Sequence, residues 1–169
     1  MNGRVLGRAT VIGAAMLLAT GLSGCSVLSG GLGGSSDAPR ASASGQVTAG
    51  SNIDIFNLKV GDCKLKDAGA QISGTDVVPC DQPHDEEVFY EFALPDGPYD
   101  ESAIGTAAET CDGAPFTDFI GVAFDSSALD VNSITPTRDT WEKMNDRLVQ
   151  CIVSDPAGQT KGSLRGSAK

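Results

Sequence analysis

Basic residues are scarce in this chain of 169 residues: 12 Lys and Arg stand against 22 Asp and Glu, a formal charge of −10. A surface so acidic is repelled by phosphate backbones and anionic headgroups, which argues against nucleic acid as a partner. Histidine and tryptophan occur once each, as His84 and Trp141. Zinc sites draw on several His or Cys ligands at set spacing, so one histidine supplies little toward such a site. Calcium loops of the Asp-x-Asp-x-Asp-Gly kind are missing, as are the G-x-S-x-G and Ser-x-x-Lys patterns that place a nucleophile beside its base. These absences point away from an enzyme and imply no cofactor. The apolar stretch from Ala9 to Leu22, which carries no charge, is shorter than the roughly 20 apolar residues a spanning helix needs. We find no internal repeat.

What is present at the N-terminus has the layout of an export signal: Arg4 and Arg8, the uncharged run, then the small residues Ser23 and Gly24 before Cys25. The four residues Leu22-Ser23-Gly24-Cys25 resemble the lipobox of bacterial lipoproteins. That resemblance implies cleavage after residue 24 and a lipid on the Cys25 thiol. It also implies an extracytoplasmic position on the cell membrane. One acyl chain binds a bilayer only marginally, so a two-chain anchor is the stable arrangement. Removing residues 1–24 would take away two arginines and no acid, making the exported chain more acidic still. The folded domain should therefore stand off the membrane that its lipid holds.

Residues 25–51 are almost all Gly, Ser, Ala, Thr and small polar residues. Such a segment is expected to bury nothing and to act as a flexible tether with a span of about 28 Å. About 115 residues remain, 52–166, enough for one small domain with one core. Apart from Cys25 there are four cysteines, Cys63, Cys80, Cys111 and Cys151, and in an exported chain these read as two disulfides. Three pairings are possible. We favour Cys63 with Cys80 and Cys111 with Cys151, because Cys63 and Cys80 end consecutive strands, which tend to be neighbours. In the loop-entropy account the two bridges contribute about 3 and about 4 kcal/mol.

Within the domain, Ile53, Ile55, Leu58 and Val60 lead to a turn at Gly61-Asp62, and Val77-Val78-Pro79-Cys80 leads to a loop stiffened by Pro83. Val88 to Leu94, aromatic and β-branched and stopped by Pro95-Asp96-Gly97-Pro98, is the clearest strand. Ile104, Ala107, Ala108 and Cys111 then recur at helical spacing, with Asp100 and Glu101 in the first turn. Pro115 to Ile120 can form a second short helix before Gly121. Leu129, Val131 and Ile134 suggest a strand, Thr137 to Met144 a helical turn, and Leu148 to Val153 a strand with Val149, Cys151 and Val153 on one face. A weak last strand over 159–164 and a frayed tail complete the expectation. The fold class is α+β: a small antiparallel sheet of about five strands with one main helix packed on it and two disulfides.

The pieces LKVGDC at 58–63, VPCDQPHDEEVF at 78–89, Cys111, ITPTRDTWEKMNDRLVQCIV at 134–153 and TKGSLRG at 160–166 together resemble the septum formation domain family of actinobacterial envelope proteins. The resemblance covers about 110 residues, in order and with all four cysteines. It implies a link to the cell wall or division septum, with wall or division proteins as partners, and it brings no catalytic residues. Members often carry a transmembrane helix where this chain has the lipobox. Asn145 stands where glycine is frequent, and asparagine tolerates the left-handed turn such a position requires.

The expected function is that of a membrane-anchored, extracytoplasmic lipoprotein, a non-catalytic binding or scaffolding module. An alternative is solute or metal-ion binding by the loop of His84, Asp85 and Glu86. A plainer role for His84 is to hydrogen-bond within its loop and set the route into the next strand, with no metal. Trp141 beside Arg147 suits either a protein contact or, by preference, the core.

Overall fold

A computed structural model describes residues 37–69 and 73–169. Cys25, the signal and the start of the tether lie outside those residues. The elements follow in order β1 (Ser51–Asp54), a 3-10 turn (Ile55–Asn57), β2 (Cys63–Lys64), β3 (Gly74–Val78), β4 (Glu86–Ala93) and α1 (Glu101–Ala108). A second 3-10 turn (Glu109–Asp112) carries the chain into α2 (Ala114–Ile120), and β5 (Asp130–Ile134), α3 (Arg138–Met144) and β6 (Leu148–Ser154) complete the fold. All six strands form one antiparallel sheet, ordered β1-β3-β2-β4-β6-β5.

The α+β class and both disulfides are as expected: Cys63 bonds Cys80 and Cys111 bonds Cys151. The sheet has six strands rather than about five, because the apolar approach to Cys63 is divided. Its buried residues fall at 53, 55 and 58, and that change of spacing marks a 3-10 turn. Asp54 starts the turn by accepting a hydrogen bond from the Phe56 N–H at 3.0 Å. Helices pack on the sheet as expected: α1, capped by Asp100, is the longest and runs on into the 3-10 turn that carries Cys111, and α2 and α3 are shorter.

Alternation along β6 builds two cores. Val149, Cys151 and Val153 face the helices and pack with Phe89, Cys111, Phe116, Phe119 and Ile120. Ile152 faces the other way, among Ile53, Ile55, Leu58, Val77 and Val88. Alternation along β4 likewise gives Val88 to one core and Phe89 to the other, and a bulge between Val88 and Tyr90 shifts its register against β6. Full burial of one such side chain is worth about 1.5–3 kcal/mol, so neither face can be left bare.

The second face is closed in part by a segment expected to bury nothing. Ala38 and Val47 are buried in that core, Arg40 and Val47 form a β-bridge, and Arg40 grips both oxygens of Asp62 at 2.5 and 2.7 Å. Asp62 itself is only 1% exposed. The expected tether is thus packed from about residue 38 onward; three anchoring residues are hidden in a composition that otherwise reads as flexible.

Two further expectations fail at the C-terminus. Residues 159–164 make a single bridge, His84 with Thr160, instead of a strand, since Gly158 and Gly162 turn the chain at positive φ on either side. The tail is not frayed either: Gly166 and Ala168 donate to the Phe119 and Ile120 carbonyls, and the Lys169 ammonium meets Asp155 at 2.7 Å.

Candidate functional site

The loop singled out by its histidine is a structural bracket. His84 is fully buried, and it exchanges backbone hydrogen bonds with Thr160. Its Nδ1 lies 2.9 Å from the Gln82 carbonyl, an acceptor only, so Nδ1 carries the proton; Nε2 shares the Thr160 hydroxyl at 3.2 Å. Asp85 accepts from the Lys66 N–H and from Gln159, while Glu86 pairs with the buried Lys64 ammonium at 2.5 Å. Neither ring nitrogen is left for a ligand. The alternative in which His84, Asp85 and Glu86 hold a solute or metal ion would have to break these bonds. The plainer role fits: His84 ties the entry of β4 to the C-terminal stretch.

Cys63, Cys80 and Glu87 bring ligand-type atoms within 4.8 Å of one another. The two sulfurs are bonded to each other, and Glu87 accepts from the Ser163 hydroxyl and the Leu164 N–H at 2.6 and 2.7 Å. These donors are committed to holding the fold.

Trp141 is a buried structural residue. Its indole N–H donates to the Gly97 carbonyl at 2.9 Å, and the Arg147 guanidinium lies 3.7 Å above its ring. Arg147 also donates to the Trp141 and Asp146 carbonyls, so the pair clamps the loop after β4 to the end of α3.

An opening lies elsewhere. β1 and β5 are opposite edges of the sheet, yet the ends of both line one hollow of about 520 Å³. The sheet therefore curls until its edges approach, leaving a seam. On the β1 side the cap at Asp54 projects Phe56 outward, 47% exposed, while Ile55 beside it is buried. Ser73, at the entry to β3, completes this wall.

The opposite wall comes from Ser133, Ile134 and Thr135 at the end of β5 and from the start of α3. Thr137 caps α3 in a reciprocal box: the Thr140 N–H donates to Thr137 Oγ1 at 3.2 Å, and the Thr137 N–H to Thr140 Oγ1 at 3.0 Å. Thr140 Oγ1 lies 3.0 Å from Asp146, whose other oxygen accepts the Leu148 N–H. Asn145, at φ 55, makes the left-handed turn that brings Asp146 back beside Thr140. The hydroxyls of Ser73, Ser133 and Thr135 have no partner among the described residues.

Among the described residues no Lys, Arg or His lines this hollow. It offers acceptors, hydroxyls that both donate and accept, and apolar surface. Sequence reading missed it. The available signal was four hydroxyl residues among the eight from Ser133 to Thr140, together with the broken spacing after Ile55.

Comparison with known proteins gives one match. A family profile described as septum formation covers residues 60–169, about two thirds of the chain, from just before β2 to the last residue. The family is a non-catalytic one. Neither the curated proteins nor the solved structures include a match. Among the described residues no helix is long and apolar enough to cross a membrane.

Proposed function

This chain belongs to the septum formation family, and from that premise we propose that it is a binding or scaffolding module held on the extracytoplasmic face of the cell membrane by a lipid on Cys25. Residues 1–24 serve as the signal. The tether then runs from Cys25 only to about residue 36, since the segment beyond it is packed. Wall or division proteins are the partners this reading favours.

The observation that carries the proposal is the use of cysteine. Four of the five cysteines pair with each other inside a domain of modest size, and disulfides of this kind persist in oxidising compartments. Cys25 is thereby left with no cysteine in the chain to pair with, at the one position where lipobox residues precede it. The acidic balance of the chain supports a domain held away from the headgroups rather than lying on them.

The test is metabolic labelling with an alkyne fatty acid in cells producing the wild-type chain or Cys25→Ser, followed by membrane fractionation and in-cell crosslinking. Label on the wild type, lost with Cys25→Ser together with the captured wall or division partners, is the expected result. An unlabelled wild-type chain would remove the anchor from the proposal, and capture of the same partners by Cys25→Ser would show that the lipid is not needed to bring them together.

A further inference from the structure

We propose that the seam hollow between β1 and β5 binds a neutral saccharide of the kind found in wall glycan. The source of the sugar rests on the envelope reading above; the chemistry of the hollow does not.

The lining narrows the ligand class by elimination. With Asp54 and Asp146 present and no basic side chain among the described lining residues, phosphates and carboxylates are repelled. A cationic ligand fares little better. Asp54 already accepts the Phe56 N–H, Asp146 accepts both the Thr140 hydroxyl and the Leu148 N–H, and both residues are only partly buried. Ion pairs in such a setting are weak.

A neutral ligand rich in hydroxyl and amide groups fits what remains. Ser73, Ser133 and Thr135 each offer a donor and an acceptor, and the carboxylate lone pairs still open can accept sugar hydroxyls. Phe56 supplies the apolar half of the match. Nearly half its surface is exposed at the rim, where the C–H face of a pyranose can cover the ring. The volume falls within the range of about 300–1,000 Å³ typical of small-ligand sites, which suits a short oligosaccharide. Preorganisation is also present, because the capping box and Asp146 hold the α3 wall in place before any ligand arrives.

The test uses the full chain in detergent, with the N-acetylglucosamine tetramer as probe and hexalysine as the competing class. Calorimetry measures affinity, and amide chemical shifts locate the site. Saturable tetramer binding is expected, with shifts at Ser133, Thr135 and Thr137. Phe56→Ala should weaken it about 10-fold, while Phe56→Tyr, which keeps the ring, should stay within about 2-fold of wild type. Thr135→Val, which removes one hydroxyl at constant shape, should weaken binding without changing the melting temperature. Sedimentation with purified wall sacculi then separates wall glycan from free sugar as the source. Absence of saturation by about 10 mM tetramer, far weaker than a built site would give, overturns the proposal. So does binding unmoved by Phe56→Ala, or hexalysine shifting these amides where the tetramer does not. Failure of fatty-acid labelling would bear on the envelope reading alone and would leave the sugar titration unaffected.

Discussion

At the scale of single residues, charge is used in two unequal ways. Lys64 is buried with its ammonium between Asp67 at 2.7 Å and Glu86 at 2.5 Å, and Thr75 steadies Asp67. Removing one partner of such a group strands the others, so Lys64→Met should lower stability by about 3 kcal/mol. Arg138→Ala breaks an exposed pair with Glu142 and a cation–π contact 4.5 Å over the Tyr99 ring, and should cost about 1 kcal/mol. Urea unfolding of the two variants checks both figures. Acid titration separates two carboxyls. Burial, with Glu109 and Asp125 nearby, holds the Asp112 carboxyl above its ordinary range. Its proton is bound more tightly in the folded state, so stability falls as pH rises through that raised value. Asp112→Asn should therefore raise the melting temperature slightly at neutral pH, solvent exposure keeping the gain small, and the gain should vanish below the ordinary carboxylate range. Asp155 is opposite: the Lys169 hydrogen bond, then the Ala157 N–H, pull it down. Its contribution is present above the ordinary carboxylate range and is lost as pH falls further. Melting curves from acid to neutral pH for Asp112→Asn and Asp155→Asn should diverge in opposite senses.

At the scale of elements, chain logic is local where the sequence spoke clearly and tertiary where it did not. The aromatic run of β4, the alternation of β6 and the proline start of α2 each carry their own period, and all three form at the expected place. β2 has only two residues and exists because β3 and β4 flank it, a fact no local pattern records. α3 shows how an element can be short and still fixed. Its start depends on the Thr137 and Thr140 box, and its end on Asn145 at φ 55. Thr137→Ala should cost about 1 kcal/mol through the lost cap. Asn145→Ala should cost about 1 kcal/mol where Asn145→Gly is near neutral, because only the side chain's clash in the left-handed turn differs. Chemical denaturation of the three variants would decide this; equal losses for alanine and glycine at 145 would mean that the Asn side chain, not the backbone angle, sets the end of α3.

At the scale of the whole molecule, the sheet has two faces to cover and the helices cover one. Helical periodicity made that face legible, along with the Cys111 to Cys151 staple that fixes it. The other face was not legible, because its cover lies in residues 37–50, whose composition matches a linker. The seam hollow was missed for the same reason: it exists only once the curl brings two distant edges together, and its residues carry no catalytic pattern. Covering by a linker-like segment makes a sharp prediction about where the domain begins. A chain shortened to start at Ser51 loses Ala38 and Val47 from the core and leaves Asp62, 1% exposed, without Arg40. Losing Val47 removes about 1.5 kcal/mol of burial, and stranding the carboxylate removes a further 2 kcal/mol or so. Arg40→Ala in the longer chain should reproduce only the second part. Compared with a chain starting at Asp37, the shorter one should therefore unfold at a distinctly lower urea midpoint, with Arg40→Ala between them. Coincident midpoints for the two lengths would mean that residues 37–50 rest on the domain without holding it, and that the boundary read from composition, near residue 52, is the working one.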